Sequence, residues 1–199
     1  MPKPYFITTA IDYPNALPHI GTAFEKVGAD VQSRFQQMND RPVYLLMGND
    51  ENTQKVARVA IKEGESGHKY VNRMAAGFKN AWRSLDIDFS RFCQTTEIIH
   101  YDFCRQFAQR VYENGYIYSK NYEGLYCGEC EEFKQSVVNG ECETHPGIPL
   151  QHHKERNWFF AWHLFKDKLL KLYADKKITI SPDHRQNEMV RFIDSDLKD

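Results

Sequence analysis

Four residues in the second half of the chain constrain its fold more than any others. Cys127-Gly128-Glu129-Cys130 is a C-x2-C pair, and after eleven further residues Cys142-Glu143-Thr144-His145 is a C-x2-H pair. Three of the five cysteines of the chain fall within these sixteen residues. Three sulfurs and an imidazole in two such pairs suit a tetrahedral Zn²⁺, because a two-residue gap lets a tight turn aim both side chains inward. Gly128 and Gly140 can supply the left-handed backbone that such turns need. The cysteine count is odd, and Met1-Pro2-Lys3-Pro4-Tyr5 carries no apolar signal region, so a disulfide framework is not expected. A redox pair at Cys127 and Cys130 would leave the second pair without a role. With all four positions filled by protein, the zinc reads as structural, holding a stretch that has little core of its own. His152 and His153 stand nearby as spare ligands, while Cys93 and Cys104 read as buried, unreactive thiols.

Before this cluster the chain alternates strand and helix patterns. Tyr5-Phe6-Ile7-Thr8-Thr9-Ala10 reads as a buried strand, followed by a turn over Asp12 to Pro18. Phe24, Val27, Val31, Phe35 and Met38 then recur at helical spacing, and Val43 to Met47 is a second strand with Gly48-Asn49-Asp50 as its exit. Helices are expected over 52–62 and 68–85, a short strand over 88–93, and a helix bearing Ile99, Phe103, Phe107 and Val111 that Gly115 caps. This alternation predicts an α/β fold with a doubly wound parallel sheet. The character changes after Gly115, so the boundary is placed there: 1–115 is one unit and 116–199 a second. That unit is expected to be short-stranded around the metal cluster (about 122–150), with helical patterning from Glu155 and two late helices.

Composition narrows the function classes. A net charge of −1 and a pI of about 6.7 exclude a strongly basic nucleic-acid coat. The longest apolar run, Val43 to Met47, is far short of the ~20 residues that cross a membrane. An aromatic content of 14% argues against disorder. The expectation is a cytoplasmic protein without a membrane partner.

Pro18-His19-Ile20-Gly21-Thr22 lies between the first strand and the first helix. A helix N-terminus offers unpaired N–H groups and partial positive charge, which suit phosphate. His19 adds a side-chain donor, and Gly21 lets a flat ligand approach the backbone. The carboxyl end of the first strand is also where an open α/β sheet places its ligand. Neither a P-loop nor a G-x-G-x-x-G fingerprint is present. Asp50, after the second strand, can face the same crevice and pair with a substrate ammonium.

Taken together these segments resemble the class I aminoacyl-tRNA synthetases, and within them the methionyl-tRNA synthetase family. Tyr5 to Thr9, Tyr13-Pro14-Asn15 and Pro18-His19-Ile20-Gly21 are similar to the first strand and HIGH signature of that family. Gly48-Asn49-Asp50-Glu51 with Gln54-Lys55 is similar to its G-T-D-E-H-G-Q-K stretch. Tyr122 to Cys127, Asn157-Trp158-Phe159-Phe160 and Arg185-Gln186-Asn187-Glu188 match further along. The resemblance implies a Rossmann-like, HIGH-type nucleotide fold whose first half precedes an inserted zinc-bearing connective peptide. It implies ATP, as its Mg²⁺ complex, and L-methionine as substrates, methionyl-adenylate as intermediate and tRNA as acceptor. His19 and Thr22 would be catalytic, and with Gly21 would bind ATP. Ala10, Ile11 and Tyr13 would line the methionine pocket, Asp50 would receive the methionine ammonium, and Cys127, Cys130, Cys142 and His145 would hold the zinc.

The chain departs from the family pattern in places. Thr22 stands at the second histidine of HIGH, Asn49 at the threonine, and Asn52-Thr53 at His-Gly. K-M-S-K-S does not occur in it. One preorganised donor to transition-state charge is worth ~2.7–4 kcal/mol, so this stretch alone is expected to be inactive or very slow, requiring a C-terminal half or a completing chain. Two other readings are weighed. An HxGH-type nucleotidyltransferase shares the histidine turn but needs no zinc. A non-catalytic, zinc-stabilised tRNA-binding fragment would use Lys154, Arg156, Lys166, Lys168, Lys171, Lys176 and Lys177, but Glu155, Asp167 and Asp175 alternate with them as on a solvated helix face.

Overall fold

The strands of the first unit are short, and three of its helices start behind a residue whose side chain caps them: His19, Thr53 and Ser66. The computed structural model describes residues 2–130, 132–134 and 140–199; part of the expected knuckle region, residues 131 and 135–139, lies outside the described residues. The chain divides into two compact units, Met1–Gln106 and Phe107–Asp199, with the division inside one helix.

In the first unit, β1 (Tyr5–Thr8), α1 (Ile20–Met38), β2 (Val43–Asn49), α2 (Gln54–Lys62), α3 (Gly67–Ser84), β3 (Arg91–Gln94) and the start of α4 (Ile98–Glu113) follow in order. The strands form one parallel sheet in the order β1-β2-β3, with Ile7 opposite Leu45 and Gly48 opposite Cys93. This is the parallel α/β half-fold that the alternation predicts. Thr53 caps α2 by accepting from the Val56 N–H at 3.2 Å, and Ser66 caps α3 by accepting from Lys69 at 3.4 Å. Leu45 and Met47 of β2, Val56 and Ala60 of α2, and Tyr70, Met74, Phe78 and Trp82 of α3 form the core with Phe92 of β3. The helix expected over 68–85 thus buries the face that its spacing marks, although Leu85 stays outside.

Helix α1 does the reverse. Its apolar stripe is turned outward, with Phe24 83% and Val31 61% exposed, while Lys26, Asp30, Ser33 and Gln36 are its buried residues. These polar groups find partners. The Asp30 carboxylate accepts from the Asp88 N–H (3.1 Å) and from Arg34 (2.7 Å), and the Gln36 side chain accepts from Arg41 (2.8 Å). The apolar residues of α4 are likewise exposed, and no residue of that helix is buried. Cys104 lies on it as an exposed thiol, 3.4 Å from a ring nitrogen of His100, rather than buried as expected; Cys93 is half-buried.

The second unit contains β4 (Ile117–Cys127), β5 (Glu132–Lys134), β6 (Glu141–Cys142), β7 (His145–Pro149), β8 (Gln151–Phe160), a 3-10 turn over Trp162–Phe165, α5 (Lys166–Ala174) and α6 (Asp183–Ser195). Its main sheet is antiparallel in the order β5-β4-β8, and β4 and β8 pair without a break from Ile117↔Phe160 to Tyr126↔Gln151. These are long strands, not the short ones expected. Residues 155–160 extend β8 instead of starting a helix, because Trp158, Phe159 and Phe160 fit a pleated surface and find aromatic partners there. Tyr118 stacks on Phe159 (5.9 Å between ring centroids), Tyr122 meets Phe133 edge-on (4.5 Å), and Phe160 stacks on Phe165 (5.2 Å). Among the described residues no helix is long and apolar enough to cross a membrane.

Candidate functional site

The turn between β1 and α1 is built around His19. It is the N-cap of α1, with extended backbone, and its Nδ1 accepts from the Gly21 N–H at 3.0 Å. Thr22 completes a capping box: its hydroxyl accepts from the His19 N–H at 3.0 Å and donates to the His19 carbonyl at 2.7 Å. With Nδ1 accepting, a neutral ring carries its proton on Nε2, which makes that atom a donor. A Cβ on Gly21 would lie 2.8 Å from His19 Cε1, so the glycine makes room for the capping imidazole itself.

The segment after β1 returns to the end of β2. The Asp12 N–H donates to the Gly48 carbonyl (3.2 Å), and the Asp12 carbonyl accepts from the Asp50 N–H (2.9 Å). Ala10, Ile11 and Tyr13 are therefore held beside half-buried Asp50, at the carboxyl ends of two adjacent parallel strands, where such sheets bind ligands. Ile11 and Tyr13 leave about half of their surface exposed, 45% and 48%. Gly48 is required by the neighbouring strand, because a Cβ there would sit 2.3 Å from the Cys93 carbonyl oxygen.

The two residues that follow Asp50 are held by partners distant in sequence. Glu51 is buried and accepts from Gln94 Nε2 (2.9 Å) and the Thr96 hydroxyl, while its own N–H donates to Thr95 Oγ1 (2.8 Å). Asn52 donates to the Thr95 carbonyl (3.2 Å) and accepts from the Tyr101 hydroxyl (2.8 Å). Both tie the turn after β2 to the turn after β3. They line a cleft of about 610 Å³ with Thr53, Gln54, His68 and Tyr101. Lys26 and Asp30 of α1 are buried, while Glu25, bonded to the 10–12 segment, is partly exposed.

In the second unit the cysteine and histidine side chains converge. One ligand atom from each of Cys127, Cys130, Cys142 and His145 lies within 4.8 Å of the other three. Cys130 Sγ is 3.5 Å from Cys142 Sγ, and His145 Nδ1 is 3.2, 3.8 and 3.9 Å from the Cys130, Cys142 and Cys127 sulfurs. Four ligands at metal–sulfur lengths near 2.3 Å set sulfurs about 3.8 Å apart around a tetrahedral ion, so the donor set fits one. Cys127 and Cys142 are buried, and Gly140 adopts φ 79° between the two pairs. Burial pushes the Cys142 thiol up, but hydrogen bonds from His145, Cys130 and Cys127 outweigh it and bring it down to about 6, toward the thiolate that binds metal. The spare imidazoles are elsewhere: His152 pairs with Glu123 (3.2 Å) and His153 lies against the Tyr126 ring.

Comparison with known proteins agrees with this construction. The family described as tRNA synthetases class I (M) matches residues 5–147. A methionine–tRNA ligase of Caldanaerobacter subterraneus subsp. tengcongensis is 37% identical over all of this chain and 31% of its own length. That of Thermosynechococcus vestitus is 38% identical over 99% of this chain and 38% of its own. A solved Mycobacterium tuberculosis methionyl-tRNA synthetase, in complex with methionyl-adenylate, superposes with a TM-score of 0.89 at 34% identity, covering 98% of this chain and 40% of that one. The chain thus spans about a third of the length of the curated relatives it matches. A helix capped by a histidine after the first strand and a three-cysteine, one-histidine cluster accord with these matches, and the chain belongs to the class I tRNA synthetases, in their methionine–tRNA ligase branch.

Proposed function

We propose that this chain supplies the HIGH-bearing nucleotide half and the zinc-bearing connective peptide of a methionine–tRNA ligase. In this reading ATP and methionine meet at the ends of β1 and β2. His19 Nε2 donates to triphosphate oxygens, and the first N–H groups of α1 add positive potential there. Gly21 and Thr22 act at the same end, Thr22 through the box that it closes on His19. Ala10, Ile11 and Tyr13 face the methionine side chain, and the Asp50 carboxylate receives its ammonium. The methionine carboxylate oxygen is thereby presented to the α-phosphorus, and pyrophosphate leaves with the charge that His19 helps to balance. tRNA is the acceptor of the methionyl group, and Mg²⁺ accompanies ATP. Cys127, Cys130, Cys142 and His145 hold Zn²⁺, which supplies cross-linking rather than chemistry because no ligand position is left for substrate.

The observation that supports this reading most is the backbone hydrogen bonding of Asp12 to Gly48 and Asp50, which ties the 10–13 segment to the turn that bears the acid. Its test is binding of a non-hydrolysable methionyl-adenylate analogue, an adenosine methionyl-sulfamate, to the zinc-loaded chain by calorimetry. Binding weakened tenfold or more by His19→Ala and by Asp50→Ala is expected. A folded, zinc-loaded chain that shows no affinity, or variants that bind like the parent, would overturn it. Methionine-dependent pyrophosphate exchange by this stretch alone is expected to stay near background.

A further inference from the structure

Two adjacent charged residues of α1, one buried and one partly exposed, hold the segment proposed to carry the amino-acid contacts. Lys26 is completely buried. Its ammonium lies 3.0 Å from Asp12 Oδ2 and 2.9 Å from Glu25 Oε2, and it donates a 2.8 Å hydrogen bond to the Ala10 carbonyl. The Asp12 contact is an ion pair without the alignment of a hydrogen bond. Through its other oxygen Glu25 accepts from the Ala10 N–H at 2.7 Å. Both backbone polar groups of Ala10 are thus taken by consecutive side chains of α1. On its far side the same segment is tied by the two Asp12 backbone bonds to Gly48 and Asp50. Residues 10–12 form a bridge between the helix that His19 caps and the strand end that bears Asp50.

This arrangement is costly as packing. Burying an ammonium and a carboxylate carries a desolvation penalty of several kcal/mol per ion, and an apolar pair of the same volume is often at least as stable. Burial pushes the Asp12 carboxyl up against the pull of Lys26. Burial also pushes Glu25 up, but the bond from Ala10 and the neighbouring ammonium bring it below its ordinary value. What an apolar pair could not supply is direction: two hydrogen bonds and an ion pair from one ammonium fix where the 10–12 backbone runs. Ile11 and Tyr13 flank Asp12, so the place of that backbone sets where their side chains stand.

We propose that Lys26 and Glu25, acting with Asp12, are positioning residues for amino-acid recognition. They fix the 10–13 segment against α1 and so set the fit of the amino-acid side chain and ammonium between Ile11, Tyr13 and Asp50, without touching the substrate. The inference rests on the methionine site proposed above. It goes beyond that site in making the amino-acid pocket depend on a buried ion cluster on the nucleotide-facing helix.

The test uses the full 199-residue, zinc-loaded chain. Affinities for L-methionine and for ATP are measured separately by NMR titration, and amide hydrogen exchange is followed at Ala10, Asp12 and Asp50 against Leu45 and Met47 in the core. Lys26→Met should raise exchange at Ala10 and Asp50 tenfold or more with the core amides unchanged. It should also weaken methionine binding at least tenfold while ATP binding changes less than twofold. Glu25→Ala, at a partly exposed position that leaves the core intact, should weaken methionine about threefold and serves if Lys26→Met fails to fold. Lys26→Arg should recover part of the affinity. Unchanged methionine affinity in both variants, with the parent binding, overturns this inference alone. A parent that binds neither methionine nor ATP overturns the site reading and this inference with it.

Discussion

At the scale of single residues, glycines decide what the motifs mean. The H-I-G run allows in sequence either a glycine that admits a flat ligand or a capping histidine beside a packing glycine. In the structure the missing Cβ of Gly21 makes room for the His19 ring, which folds back onto the Gly21 N–H. The motif therefore encodes a cap, and the cap leaves Nε2 as the donor. Gly48 reads in sequence as part of an exit turn, but β2 continues through it and presses on the backbone of β3. Gly48→Ala is expected to lower unfolding free energy by about 3 kcal/mol, at the upper end of overpacking costs, since backbone rather than a flexible side chain must move. Urea denaturation measures it, and a loss below about 0.5 kcal/mol would show that the strands can part without strain. The residues of the candidate pocket, His19, Gly21, Asp50 and the 10–13 segment, were legible because they sit in contiguous runs beside turns. Glu25 and Lys26 were not, because their roles depend on Ala10 and Asp12, which lie in another element.

At the scale of elements, the metal cluster and α1 show opposite cases. The knuckle elements β5, β6 and β7 are three, two and five residues long, too short to hold register by pairing alone. Their order depends on the cluster, whose ligand spacing is local and therefore readable. Removing the metal with a chelator should abolish amide protection around Cys127, Cys142 and His145 and leave the melting of the first unit in place, because the core residues of that unit, from Ile7 to Phe92, all belong to it. Calorimetry with and without chelator checks this; a common downward shift of all transitions would contradict it. For α1 the 3.6-residue period announces an amphipathic helix correctly but not which face is turned in. Its polar face is buried because Asp12, the Asp88 N–H and Arg41 await it there, a pairing that lies outside any window of periodicity. Residues 155–160 show the same dependence, becoming strand because β4 pairs with them.

At the scale of the whole molecule, the outward stripe of α1 adds Ile20, Phe24, Val31, Phe35 and Met38 to the exposed surface, with Phe6 and Tyr44 stacked on each other at 5.4 Å. Contiguous apolar surface of this kind binds hydrophobic dyes and promotes association. Replacing Phe24 and Val31 by lysine should cut anilinonaphthalene-sulfonate fluorescence by half or more while changing stability by no more than about 0.5 kcal/mol, the range for exposed sites. A large loss of stability would mean that the stripe is packed in solution. From sequence by itself follow the α/β class, the order of the elements in the first unit, the tetrahedral ligand set and the histidine turn. All of these are carried by residues close together along the chain: periodicity, caps and two-residue ligand gaps act over one or two turns. Only the tertiary structure decided which face of α1 is buried, how far β8 extends, and that a buried lysine and two carboxylates hold the strand end beside Asp50. Those outcomes depend on pairing between distant segments, where the desolvation of a charge is offset only by the partner that the fold brings to it.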